Sequence, residues 1–189
     1  KMRHLPIDLQ VREMLATDVI DEIMIGNAFA SDEEFDSIKE AISPVKPNMT
    51  YLEKLPFASF FMKQEMPQVK KVKVDLNKDI TDIEKEVLLN FFPHIDMGDS
   101  SEWIWRNRIP RFFFHGQIAQ RKVSQKEFVR GDVVMVNNEY EHYSSEVQVV
   151  LIPIVNDGTR NLIGHISDQE MELFELIKDM DIVQFLDNV

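Results

Sequence analysis

The stretch DVVMVNNEYEHYSSEVQVVLIPIVNDGTRNLIGHI, residues 132–166, decides how this chain is read. Three runs within it, Asp132 to Val136, Glu146 to Val155 and Asn161 to Ile166, are strand-sized and rich in Val and Ile. Asn, Gly, Ser and Asp separate them, residues whose short side chains or free φ let a backbone turn. Asp157-Gly158 between the last two runs is a tight-turn signal. Just upstream, Arg111 to Ala119 reads as a further strand, and Gly116, Gly131, Gly158 and Gly164 punctuate the series.

Toward the N-terminus the period changes from two to about 3.6. Ile7, Val11, Met14, Leu15, Val19, Ile23 and Met24 recur at helical spacing, predicting a helix from Ile7 to about Ala28. Ser31 with Glu34 is a capping pair for a second helix carrying Phe35, Ile38 and Ile42, which Pro44 and Pro47 end. Thr50 with Glu53 repeats the signal before Phe57 to Met62, a short apolar segment between Pro56 and Pro67. Val72, Val74 and Leu76 alternate with Lys71, Lys73 and Asp75, the pattern of a half-exposed strand whose lysines protect a sheet edge. Thr81 with Glu84 then caps a helix along Ile83, Val87, Leu88 and Phe91. After the strands, Ser167 with Glu170 caps a C-terminal helix bearing Met171, Phe174 and Ile177.

The expected class is therefore α+β: a helical N-terminal half packed on a small, mostly antiparallel sheet or partly closed barrel, with a C-terminal helix. The composition shift beyond Pro93 places a boundary near residue 98. Residues 1–98 form a mainly helical region with one edge strand, and 99–189 a β-rich region closed by an acidic helix.

Composition narrows the chemistry. The chain has 189 residues, 44% hydrophobic and 29% charged, an ordinary globular balance. It has no cysteine, which removes disulfides, thiolate metal sites and cysteine nucleophiles together. No apolar run approaches the roughly 20 residues of a membrane-spanning helix, and the first ten residues lack a signal-peptide core. A cytoplasmic location is the default expectation. A net charge of −12 disfavours indiscriminate contact with nucleic acid or anionic membrane.

Three clusters carry candidate chemistry. His94 and Asp96 form an H-x-D pair, followed by Asp99 and Glu102, the spacing a non-haem iron oxygenase uses with a second histidine. Asp132, Glu146 and Gln148 follow the acidic, then E-x-Q order by which a metal-dependent nuclease holds its divalent ion. Trp103, Trp105, Arg106, Arg108 and Arg111 open the chain's one concentrated basic-aromatic stretch, suited to internal ion pairing or to docking. The acidic segment from Asp168 to Val189 is its electrostatic counterpart, and could meet it in a neighbouring copy.

There is no phosphate-binding glycine loop, dinucleotide fingerprint or nucleophile elbow. These features favour a non-catalytic protein-binding or assembly module: a subunit, adaptor or virion-type structural protein. Its partner would be another protein or copies of itself, with nucleic acid less favoured, no membrane and no cofactor. The alternative is a metal-dependent enzyme using His94/Asp96 or Asp132/Glu146/Gln148.

Overall fold

The computed structural model describes residues 4–26, 29–45, 69–91, 93–122 and 124–188. The Thr50/Glu53 cap, the Phe57 to Met62 segment and Pro47, Pro56 and Pro67 lie outside the described residues.

Strands β1 (Lys70–Leu76), β2 (His94–Ile95), β3 (Ile104–Asn107), β5 (Asp132–Val136), β6 (Val147–Val150), β8 (Arg160–His165) and β9 (Ile182–Asp187) make one seven-stranded sheet. Its order is β2-β9-β1-β8-β5-β6-β3, and β4 (Glu127–Phe128) pairs with β7 (Ile154–Val155) separately. Only β1 and β9 run parallel, with Lys70 opposite Val183; the other pairs are antiparallel. The sheet curls into a nearly closed barrel, and its two end strands meet through side chains rather than a backbone ladder. Asn107 Oδ1 accepts the N–H of Ile95 at 3.4 Å and that of Ile109 at 3.2 Å. Its Nδ2 therefore faces the His94 ring and donates to Nδ1 at 2.5 Å. On the other side of the ring, His94 Nε2–H donates to the Leu88 carbonyl at 2.8 Å.

This architecture overturns the expected helical half over a small sheet. Among the described residues the α-helices are α1 (Ile7–Ala16), α2 (Asp32–Ile42), α3 (Asp82–Lys85), α4 (Ile109–Phe113) and α5 (Asp168–Phe174). The capping pairs are present, since Ser31 and Thr81 each exchange bonds with the glutamate three residues on. However, α3 passes at once into a π-type turn, with the Phe91 N–H reaching the Glu86 carbonyl. Helix α1 ends where Asp18 takes a left-handed φ of 58°, leaving Val19 and Met24 largely exposed. Pro110 fits the first turn of a helix, so Arg111 to Phe113 are helical rather than extended. The acidic C-terminal segment turns back at Met180 (φ 69°) and finishes as strand β9, with Val183 and Phe185 buried.

Strand β1 is not an edge. It lies between β9 and β8, its valines buried inside the barrel, and each of its lysines has a partner. Lys70 Nζ donates to the Ala16 carbonyl and to Asp18, Lys71 Nζ to the Ser43 carbonyl at 2.8 Å, and Lys73 pairs with Asp8 at 2.8 Å. Arg12 ties the same surface together, donating to the Lys71 carbonyl at 3.0 Å and to Glu170 at 2.6 Å. Helix α1 thus packs beside a charged layer while adding Leu9 and Ala16 to the core.

Inside the barrel, Val72, Val74, Val133, Met135, Val147, Val149, Ile163 and Phe185 form one core with Trp105. The Trp105 ring meets Phe174 edge-on at 5.4 Å and Phe185 at 6.2 Å. The alternate residues Val134 and Val150 point to the opposite face, where they join Phe128. Among the described residues, no helix is long and apolar enough to cross a membrane.

The seam gives the fold a pH dependence. Burial pushes His94 down to about 4, the bond to the Leu88 carbonyl only partly opposing it. Protonation at Nδ1 would also set a second N–H against the Asn107 amide. A histidine held neutral in the fold but titrating near 6.5 when unfolded contributes fully above pH 6.5, and that contribution is lost as pH falls toward 4. Chemical denaturation between pH 7 and 4 is expected to show a loss on the order of 2–3 kcal/mol from this group. In His94→Gln, which cannot titrate, that part of the slope disappears; an unchanged slope would mean other groups carry it.

Candidate functional site

Strand alternation builds a second, polar surface outside the barrel. In β3, Trp105 and Asn107 point inward, so Ile104 and Arg106 point out. In β6, Val147 and Val149 point inward, which sends Gln148, and Glu146 just before the strand, to the same outer face. Pairing of β3 with β6 sets Arg106 opposite Gln148. Ser145 takes φ 74°, a costly conformation for a residue with a Cβ, and its N–H is held by the Val136 carbonyl at 2.9 Å. This kink turns Glu146 under the sheet surface, where it has no solvent exposure.

Glu146 is the centre of a relay. Arg106 clamps it with two parallel bonds, Nε to Oε1 at 2.6 Å and Nη2 to Oε2 at 3.0 Å. Gln148 Nε2 donates to Glu146 Oε1 at 2.8 Å, and Gln148 Oε1 accepts Arg160 Nε at 2.8 Å. The Glu146 hydrogen bond, above all, raises the Arg106 guanidinium above its ordinary value, so this cation is permanent. Arg111 lies 3.8 Å from Glu146, and both Arg106 and Arg111 stack on the Tyr143 ring, at 5.5 and 4.9 Å from its centroid. Tyr140 leans on Tyr143 with centroids 4.6 Å apart. Above these groups opens a cavity of about 260 Å³, lined by Asp99, Ser101, Arg106, Tyr140, Tyr143, Gln148 and Arg160 among others.

The basic-aromatic stretch divides between two places. Arg106, Arg108 and Arg111 converge on Asp99 and Glu146, with Arg108 3.2 Å from Asp99. Trp105 is in the core, and Trp103 is half exposed with its Nε1 on Glu102 at 3.0 Å. Sequence reasoning missed Tyr140, Tyr143 and Arg160. The one available signal was two tyrosines in an otherwise polar connection between two apolar strands.

The metal readings fail for want of free donors. Both ring nitrogens of His94 are used at the seam, and Asp96 Oδ1 accepts the N–H groups of Gly98 and Asp99, closing a turn. Asp132 accepts from Val129 N–H, Gln125 and His165 Nδ1, all within 3.0 Å. Glu146 and Gln148 do share a face, as E-x-Q spacing requires, but arginines fill the place of a cation. Among the described residues no three His, Asp or Glu side chains form a group able to hold a metal ion.

Burial makes the two halves of the central ion pair unequal. Arg106→Met leaves Glu146 charged and wholly buried, a loss of roughly 3–5 kcal/mol. Glu146→Gln leaves Arg106, whose side chain is 24% exposed, free to reach water, and is expected to cost about 1 kcal/mol. Urea denaturation of both variants and of the double variant checks this. Equal losses would contradict the asymmetry, and a double variant better than Arg106→Met alone would support it.

Comparison with known proteins sets this site in a family. The model described as "6-phospho-N-acetylmuramidase, C-terminal" matches residues 70–186, and that described as "6-phospho-N-acetylmuramidase, N-terminal" matches residues 1–40. An uncharacterized B. cereus protein of known structure superposes with a TM-score of 0.76 at 24% identity, over 97% of this chain and 46% of its own. A conserved Enterococcus faecalis protein of unknown function gives 0.53 at 16% identity, over 96% of this chain and 41% of its own. Both likenesses concern the fold. The chain thus spans less than half the length of the solved relatives it matches. No functionally curated protein matches it. The family match overturns the expectation of a non-catalytic binding or assembly module and that of a metal-dependent nuclease or oxygenase. By a match over most of its length, the chain belongs to the 6-phospho-N-acetylmuramidase family.

Proposed function

We propose that this chain takes part in hydrolysing the glycosidic bond of a 6-phospho-N-acetylmuramic acid residue, and that the cavity over Arg106, Gln148 and Arg160 binds the sugar. The observation that carries the reading is the relay of Arg106, Glu146, Gln148 and Arg160 beneath a cavity walled by two tyrosines, in a chain of this family. The substrate named by the family bears a phosphate, a carboxylate and an amide. It therefore calls for guanidinium and amide groups, and its ring faces suit an aromatic wall.

Hydrolysis of a glycoside generally uses two carboxyl groups, one donating a proton to the leaving oxygen and one acting as base or nucleophile. The carboxylates at this cavity, Asp99 and Glu146, are both engaged by arginines. In this arrangement both serve as partners that hold the arginines in place. The part assigned to this surface is accordingly to bind and orient the sugar, with Tyr140 as a platform and Arg160 as an anion contact.

Calorimetric titration of the chain with 6-phospho-N-acetylmuramic acid tests the reading. Saturable binding is expected, weakened roughly five- to tenfold in Tyr140→Ala by loss of about 1 kcal/mol of ring contact. Tyr140 is 45% exposed, so the variant leaves the core intact. A chain that takes up no ligand at millimolar concentration would remove this surface from the substrate site.

A further inference from the structure

We propose that the cavity reads the lactyl carboxylate of the sugar, through Arg160, and leaves the phosphate outside. This rests on the reading of the cavity as a sugar site and adds which group of the ligand it selects.

The argument is one of charge and free donors. Three charged side chains line the cavity: Asp99, Arg106 and Arg160. Arg106 is neutralised by the buried Glu146 and spends Nε and Nη2 on it, while its Nη1 lies 3.7 Å from Asp99. Asp99 is matched by Arg108 at 3.2 Å. Arg160 remains. Its Nε is taken by neutral Gln148, and its Nη1 by Thr159 Oγ1 at 3.0 Å. Its Nη1 also pairs with Asp157 Oδ1 at 3.5 Å, a carboxylate whose side chain is 56% exposed. Among the described residues, Arg160 Nη2 has no partner.

Taken with their neighbours, Arg106, Arg108, Arg111 and Arg160 face three carboxylates, Asp99, Glu146 and Asp157, so the cluster keeps one net positive charge, and Arg160 Nη2 offers a free guanidinium edge. That balance suits a single carboxylate, which pairs with a planar fork of N–H groups. A phosphate monoester carries about −1.5 to −2 at neutral pH and would leave excess negative charge beside Asp99. Asp99 Oδ1 makes the same point from the other side: it is buried with no hydrogen-bond partner, an acceptor waiting for a donor rather than for an anion. A sugar hydroxyl or the acetamido N–H satisfies it.

Size agrees with charge. About 260 Å³ lies just under the ~300–1,000 Å³ of drug-sized sites, room for one pyranose and not a chain of them. The lactyl ether on C3 and the phosphate on C6 leave the ring from different carbons, with C4 between C3 and C5, so the two anions meet different surroundings.

The test is a titration of the chain with three ligands: 6-phospho-N-acetylmuramic acid, N-acetylmuramic acid lacking the phosphate, and N-acetylglucosamine 6-phosphate lacking the lactyl group. The first two are expected to bind within about threefold of each other, and the third roughly ten- to hundredfold more weakly, the worth of a charge-assisted hydrogen bond. Arg160→Lys keeps the charge and loses the fork; it is expected to bring the first two down toward the third, with an unchanged melting temperature showing the fold intact. N-Acetylglucosamine 6-phosphate binding as tightly as the phosphorylated muramic acid would overturn the assignment while leaving the cavity a sugar site. Lactyl-dependent binding that Arg160→Lys does not weaken would overturn it too. No binding of any of the three would overturn both this assignment and the reading beneath it.

Discussion

The barrel depends on one amide facing one imidazole. Strands β2 and β3 are the two ends of the seven-stranded sheet, and an open sheet edge exposes unpaired N–H and carbonyl groups. Here the edges are joined by Asn107, which satisfies two backbone N–H groups with its oxygen and His94 with its nitrogen. Each member limits the others. The oxygen's two partners set the amide orientation, the amide sets the tautomer, and the tautomer sends Nε2–H to Leu88 in the middle of the π-type turn. A short helix, a two-residue strand and the far edge of the sheet are fastened at a single buried point.

Closure at that point also determines what the outer face can be. With Trp105 and Asn107 turned inward to core and seam, Arg106 has no choice but the outside. The same parity in β6 puts Glu146 and Gln148 beside it. A fully buried glutamate is tolerable only with a partner of matching geometry, and the bidentate arginine supplies one. The core and the polar relay are thus two sides of the same pair of strands. A register slip of one residue would exchange them, placing Arg106 in the barrel and Trp105 in water.

The sequence was most legible where local chemistry decides structure. The capping residues Ser31, Thr81 and Ser167 all accept the predicted backbone N–H, and the runs Asp132 to Val136 and Asn161 to Ile166 fall on strands β5 and β8, with Ile166 just beyond. It was least legible where tertiary partners override a local pattern. Lys71 and Lys73 looked like edge protection because nothing nearby in sequence could receive them; the Ser43 carbonyl and Asp8 are many residues away. Within the acidic segment from Asp168 to Val189, the strand through Val183 and Phe185 went unread because its parallel partner, β1, lies more than a hundred residues earlier. His94-x-Asp96 looked like a ligand pair since spacing reports that two side chains share a side, and is silent on whether their lone pairs are already spent. The same limit applied to Glu146-x-Gln148, where the shared face was right and the cation beside it is a guanidinium. Arg160, Tyr140 and Tyr143 belong to no motif. Strand pairing and the kink at Ser145 alone bring them to Arg106.

The proposed binding of an anionic sugar sets an acidic chain a constraint of its own. With a net charge of −12, its general field repels such a ligand, so attraction has to be local and made by particular groups. Adding free lysines to a surface would achieve that at the expense of selectivity, since any anion would be held. The relay takes another course. Glu146 neutralises Arg106 and fixes it, Arg108 does the same for Asp99, and Gln148 positions Arg160 without cancelling its charge. What remains is one cationic edge in a defined direction, beside an acceptor that rejects a second negative charge. On this proposal the buried glutamate at the middle of a basic cluster has a physical reason to be there: by using up the neighbouring arginine, it would turn a generally cationic surface into one that distinguishes between anions.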